Sequence, residues 1–135
     1  MLPQKCIGTN DCFRACLASL LNKKIEDVPN VYSKSIEVMN NNITSYLKSE
    51  NLSAMYMRFP CKRILTVFSE MHDILDNMYY ILIGKVNGLE DHAVIACGNS
   101  IVFDPSLDDC GIDSRIENGC YEVVFLIPSY CKNGS

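Results

Sequence analysis

The sequence predicts an α+β fold in a single domain. Three observations lead there: apolar residues recur at helical spacing through the first half, the second half is a succession of β-rich runs parted by turn dipeptides, and 135 residues at 48% hydrophobic content suffice for one core. Helices followed by strands is the order of an α+β chain rather than of alternating βαβ units. No internal repeat, low-complexity tract or linker divides the chain, so residues 1–135 are read as one domain.

Asn10-Asp11 precedes Phe13, Cys16, Leu17, Leu20 and Leu21, whose spacing predicts an amphipathic helix with a capping residue before it and Cys12 in its first turn. Lys23-Lys24 suits the negative end of that helix, and Val28-Pro29-Asn30 breaks the chain. Ile36, Met39, Ile43, Tyr46 and Leu47 predict a second helix within 33–50, against the low propensity of Asn40-Asn41-Asn42. From Leu52 the period changes. Leu52, Ala54, Tyr56 and Arg58 alternate with Ser53, Met55 and Met57 without a clean polar face, which predicts a short, well-buried strand ended by Pro60. Ile64, Leu65, Phe68, Met71 and Leu75 predict a third helix over 62–76. The runs 79–86, 91–97, 101–104 and 120–127 predict four strands, separated by Asn87-Gly88, by Gly98-Asn99 and by a polar loop over 105–119.

Composition narrows the function. Twelve Lys+Arg against sixteen Asp+Glu give a net charge of −4, so neither nucleic acid nor an anionic membrane surface is expected as a partner. The longest apolar run, Met78 to Ile83, is far short of the roughly 20 residues that span a bilayer, and Met1-Leu2-Pro3-Gln4-Lys5 opens no signal peptide. A soluble cytoplasmic protein is therefore expected. In that setting the eight cysteines read mainly as free thiols; none shows C-x-x-C spacing, and Cys97 and Cys120, inside apolar runs, read as small core hydrophobes.

Cys12 is the exception. A thiol is a useful nucleophile as thiolate, and the positive end of a helix dipole with a nearby imidazolium lowers its pKa. The chain offers two histidines. His72, in Glu70-Met71-His72-Asp73, reads as a solvated helix residue. His92 opens the apolar strand His92-Ala93-Val94-Ile95-Ala96-Cys97 directly after a polar turn, at the strand end where clefts form. A catalytic imidazole needs an acceptor on its second nitrogen, and Asp104 ends the next strand. Register decides whether it arrives. A strict two-residue loop at Gly98-Asn99 pairs Ala93 with Asp104 and faces it away from His92, whereas a three-residue loop or a bulge puts both on one face.

The segments Gln4…Asn10-Asp11-Cys12-Phe13-Arg14-Ala15-Cys16, Asp91-His92-Ala93-Val94-Ile95 and Val102-Phe103-Asp104-Pro105 together resemble the papain-like cysteine peptidases, and within them the compact bacterial domains that cleave bacteriocin leader peptides. The motifs cover the first twenty residues and 91–105. The resemblance implies a papain-like fold, Cys12 as nucleophile, His92 as general base and acid, Asp104 as the orienting acid and Gln4 as oxyanion donor. It also implies no cofactor, and a peptide or small amide or acyl substrate, a double-glycine leader if the likeness is complete. Two positions depart from the pattern: Phe13 stands where a small residue is usual, and Gln4 lies eight residues before Cys12. Phe13 beside the thiol and Asp91 beside His92 are the expected substrate contacts.

Other readings stand beside this one. Cys16, one turn after Cys12, reads as core packing. Cys12, Cys16 and His92 offer a zinc set, but lack the paired short spacings of a four-ligand structural site, and no metal is expected. Arg58, Lys62 and Arg63 form a basic cluster next to the expected cleft, and Glu90-Asp91 with Asp108-Asp109 an acidic flank. The chain is expected either to hydrolyse an amide or acyl bond or to hold a peptide or small polar ligand in the same cleft without turnover.

Overall fold

The computed structural model describes residues 1–74, 77–88, 90–116 and 118–129, so the expectations for Leu75, Leu89 and Cys131 fall outside it. Helix α1 (Cys12–Leu20) is followed by a 3₁₀ turn (Ile25–Asp27), α2 (Ile36–Ser49), β1 (Leu52–Phe59), α3 (Ile64–Ile74), β2 (Tyr79–Val86), β3 (Glu90–Cys97), β4 (Ser100–Phe103) and β5 (Tyr121–Pro128). The five strands form one antiparallel sheet in the order β1-β5-β2-β3-β4. The chain is thus α+β, with its first helix leading into a mainly helical half and an antiparallel sheet built largely from the second.

Alternation along the strands creates two cores. Ile81, Ala93, Ile95 and Val124 face α1, α2 and the 3₁₀ turn, where Phe13, Cys16, Leu17, Ile25, Ile43 and Leu47 meet them. Tyr80, Leu82, Val94, Val123 and Phe125 face the other way, onto Val67 and Met71 of α3. Burial of a side chain of this size is worth about 1.5–3 kcal/mol each, which is why the strands read as continuous apolar runs. The Tyr80 hydroxyl, in this interior, donates to the Gly98 carbonyl at 2.7 Å and ties β2 to the β3–β4 turn.

The elements fall where the periodicity places them, but several side chains do not. β1 is an edge strand with Met55 and Tyr56 exposed, not the well-buried strand expected: its outer side pairs with nothing in the order above, and α2 covers only its first residues. Leu65 and Ile36 are 59% and 76% exposed, and Val67 takes the core position on α3. Cys97 and Cys120 are half-buried rather than core residues, because they sit at the ends of β3 and before β5. Lys23 pairs with Glu50 at 3.0 Å at the end of α2.

The β3–β4 hairpin carries the decisive detail. Cys97 pairs with Ser100 across Gly98-Asn99, whose φ of +58° at Gly98 suits glycine at the first position of a two-residue turn. Ala96 then pairs with Ile101 but Ile95 with Phe103, leaving Val102 as a one-residue bulge.

Candidate active site

The bulge reverses the parity that the tight turn would impose. With Phe103 opposite Ile95, Asp104 continues opposite the Val94 position and shares a face with His92, two residues on. Its Oδ1 lies 2.7 Å from His92 Nε2, with both side chains 8% exposed. The loop after β4 completes the carboxylate's shell: Ser106 N–H donates to Oδ1 at 2.9 Å, Ser106 Oγ to Oδ1 at 2.7 Å, and Gly111 N–H to Oδ2 at 2.7 Å. Burial alone would raise the Asp104 carboxyl, but these donors together with His92 outweigh it and hold the group below the ordinary carboxylate range. Asp104 is therefore ionised, Nε2 of His92 carries the proton that it donates, and Nδ1 is left as the basic nitrogen.

Two contacts missed by the sequence reading set this loop. The Lys5 ammonium donates to the carbonyls of Asp104 and Ser106, at 2.9 and 2.8 Å, pairs with Asp109 at 2.7 Å, and lies 5.4 Å from the centre of the Phe103 ring. Cys6 N–H donates to the Pro105 carbonyl at 2.9 Å. On the far side, Gly84, which pairs with His92 across β2–β3, lets residues 112–114 lie against β2; Lys85 N–H donates to Ser114 O at 2.7 Å and Asp113 N–H to Lys85 O at 2.9 Å. A Cβ at Gly84 would overlap the Ile112 side chain and approach the Ser114 carbonyl oxygen to 2.8 Å. No local sequence pattern marks Lys5; the isolated glycine inside a strand was the one available sign of Gly84's role.

Cys12 is the first residue of α1. Asp11 holds the N-cap position but makes no capping hydrogen bond; its carboxylate accepts from Ile7 N–H at 3.3 Å and pairs with Arg14 at 3.5 Å. Burial pushes the Cys12 thiol up, while the backbone N–H groups of Ala93, Phe13 and Cys12 itself pull it down, and burial prevails. The expected resting thiolate is thus not favoured: a sulfur withdrawn from water loses more than the first turn of the helix returns. Its neighbours are less suited still. Burial, with Cys12, Asp11 and Asp104 nearby, pushes Cys6 up to about 11, and the fully buried Cys16 lies well above the ordinary range.

The Ala93 N–H places the Cys12 sulfur beside the residue that follows His92, although among the described residues no hydrogen bond joins that sulfur to the ring. Cys12 at the head of α1 thus lies beside the start of β3, close enough to Asp104 for that carboxylate to push its thiol further up, while the His92–Asp104 pair is joined within itself. Gln4 is not with them. Its N–H donates to Ser19 Oγ at 2.8 Å, its side-chain oxygen accepts from Ile25 N–H at 2.9 Å, and its Nε2 donates to Pro3 O at 3.0 Å. Ser19 lies seven residues along α1 from Cys12, about 10 Å at the rise of a helix, so the expected oxyanion role of Gln4 is corrected to a brace at the opposite end.

Phe13 is also corrected: at 5% exposure it packs in the core rather than lining a cleft. Asp91 is exposed beside His92 and pairs with Lys85 at 3.2 Å. The basic cluster is not next to the site; Arg58 pairs with Glu122 at 3.1 Å on β1, three strand spacings from β3, or about 14 Å. His72 is exposed on α3. A ring nitrogen of His92, a carboxylate oxygen of Asp104 and the Cys110 sulfur all lie within 4.8 Å of one another, a grouping different from the Cys12, Cys16 and His92 set considered from sequence. No helix among the described residues is long and apolar enough to cross a membrane. Comparison with protein-family models, with curated proteins and with solved structures finds no match.

Proposed function

We propose that the chain is a papain-like cysteine hydrolase, a peptidase or amidase working through Cys12, His92 and Asp104. The observation that carries this reading is the buried His92–Asp104 pair at 2.7 Å, set one residue from the N–H that meets the Cys12 sulfur. A structural histidine at a strand end needs one acceptor; here the acceptor is an ionised carboxylate held by three further donor groups, which fixes the ring and leaves its other nitrogen basic.

Nδ1 takes the Cys12 S–H proton as the sulfur attacks the carbonyl carbon of an amide, thioester or ester. General-base activation of this kind starts from a neutral thiol, in keeping with the burial that raises Cys12. The negative oxygen of the tetrahedral intermediate falls to the first-turn N–H groups of Cys12 and Phe13, which meet the sulfur at rest and are relinquished as its charge passes through the new C–S bond to oxygen. The imidazolium returns its proton to the leaving group, giving a thioacyl-enzyme. Water, deprotonated by the same nitrogen, then releases the acid and restores the thiol.

The second reading, a binding module without turnover, draws on the same raised thiol. Incubation with p-nitrophenyl acetate and mapping of the adduct separates the two. An acyl group on Cys12 that forms and clears, and forms at least about 10²-fold more slowly in His92→Ala, supports the hydrolase. Acylation of Cys12 no faster than of exposed Cys110, and indifferent to His92, sinks it.

A further inference from the structure

The geometry points to a regulatory site for a thiophilic divalent cation of the zinc class, formed by His92, Asp104 and Cys110. Its effect on turnover rests on the hydrolase reading; its existence does not. Cys110 is exposed, on the loop that also supplies Gly111 to Asp104, and its sulfur comes within 4.8 Å of both the ring nitrogen and the carboxylate oxygen. At present the thiol is engaged weakly, donating to Ser106 Oγ at 3.4 Å.

The donor set selects the cation. One imidazole nitrogen, one carboxylate oxygen and one thiolate suit zinc, with bonds of about 2.0–2.3 Å; magnesium and calcium take all-oxygen shells. Tetrahedral bonds of that length put ligand atoms about 3.3–3.8 Å apart. His92 and Asp104 are buried and already nearer than that, so they separate slightly while the exposed Cys110 thiol gives up its long contact to Ser106 Oγ and closes in. Three protein ligands leave the fourth position to water. The Lys5 ammonium does not oppose the cation strongly, since Asp109 balances it at 2.7 Å.

The nitrogen facing the carboxylate is Nε2. A nitrogen bound to metal cannot also donate to Asp104, so as the cation takes Nε2 the ring proton moves to Nδ1, which is no longer a base, and the thiol proton of Cys110 leaves to solvent. Occupancy therefore converts the orienting pair into two ligands of one ion, locks the ring and stops proton transfer. This is reversible inhibition at a site that includes no atom of the nucleophile.

Because Cys12 is not a ligand, the test is made in Cys12→Ser protein, which has no nucleophilic thiol but keeps the trio. Zinc chloride is titrated in competition with a chromophoric chelator, and cobalt(II) is used to read a sulfur-to-metal charge-transfer band. We expect one tight equivalent, and in Cys12→Ser/Cys110→Ala a loss of affinity of at least about tenfold together with the band. Equal zinc affinity with and without Cys110, or no zinc uptake by Cys12→Ser, overturns the site. Zinc binding that depends on Cys110 in a protein that never acylates Cys12 upholds the site while removing the hydrolase.

Discussion

The Asp104 carboxylate reaches the His92 imidazole at 2.7 Å because Val102, between them in the hairpin, is paired with nothing. Counted without the bulge, a two-residue turn would send the two side chains to opposite faces of the sheet. One additional backbone residue does the work that a longer turn would otherwise have done.

Inserting an alanine between Phe103 and Asp104 should therefore leave a folded protein in which Asp104 moves opposite Ala93 and faces away from His92, whereas deleting Val102 only regularises the hairpin and keeps Asp104 opposite Val94. The expected outcome is near-native secondary structure by circular dichroism with Cys12 acylation slowed at least about 10²-fold. Unchanged acylation in the insertion variant contradicts the role given to the pair.

Asp104 also fixes the acid limit. Its pKa lies below the ordinary carboxylate range in the folded chain, so its contribution to stability is present above that range and is lost as pH falls through the folded value. In Asp104→Asn, stability should vary less with pH over that acid interval than in the parent. Urea midpoints measured across the interval check this, and parallel curves for the two proteins count against it.

Gly84→Ala places a methyl group against the Ile112 side chain and the Ser114 carbonyl oxygen. We expect a loss of about 1–3 kcal/mol by chemical denaturation. Because residues 112–114 follow directly from Gly111, the variant should also weaken the donor to Asp104 Oδ2, and acylation should slow even under conditions where the fold is intact.

Lys5→Met removes an ammonium shared by two carbonyls and Asp109. The side chain is 41% exposed, so the expected loss is only about 1 kcal/mol. Faster amide exchange confined to residues 104–111 is the sharper readout, since a purely general destabilisation would not single out that loop.

Much of this was legible in the sequence, for reasons of period. The 3.6 and 2 repeats place the three α-helices and five strands of the described residues, because burial on one or both faces of each element decides which residues it can carry. The order Cys12, His92, Asp104 and the element on which each lies followed from the same reading. What escaped it was non-local. Whether β1 is central or an edge depends on where β5 pairs, about seventy residues later, and no pattern in Leu52–Phe59 contains that. Gln4 is assigned to the thiol by the family resemblance alone, at a spacing already longer than the pattern, and the N-terminal segment runs to the Ser19 end of α1. Phe13 follows Cys12 in sequence, but successive helix residues point about 100° apart, so one meets the site and the other the core. Cys110 sat in a polar loop with no short-spaced partner; its neighbours become visible only when Ser106 and Gly111 wrap the carboxylate.

The position of β5 has a consequence for how the chain is made. Among the described strands it is the last to leave the ribosome, yet it lies between β1 and β2. Until it emerges, the nascent protein holds β1 on its own and a β2-β3-β4 piece beside it, with β2 offering an unpaired row of amide and carbonyl groups. Completion is an insertion that joins two separate pieces at once, so truncation before residue 128 should leave both halves open to pairing with other molecules, and folding should be slow for a domain of this size.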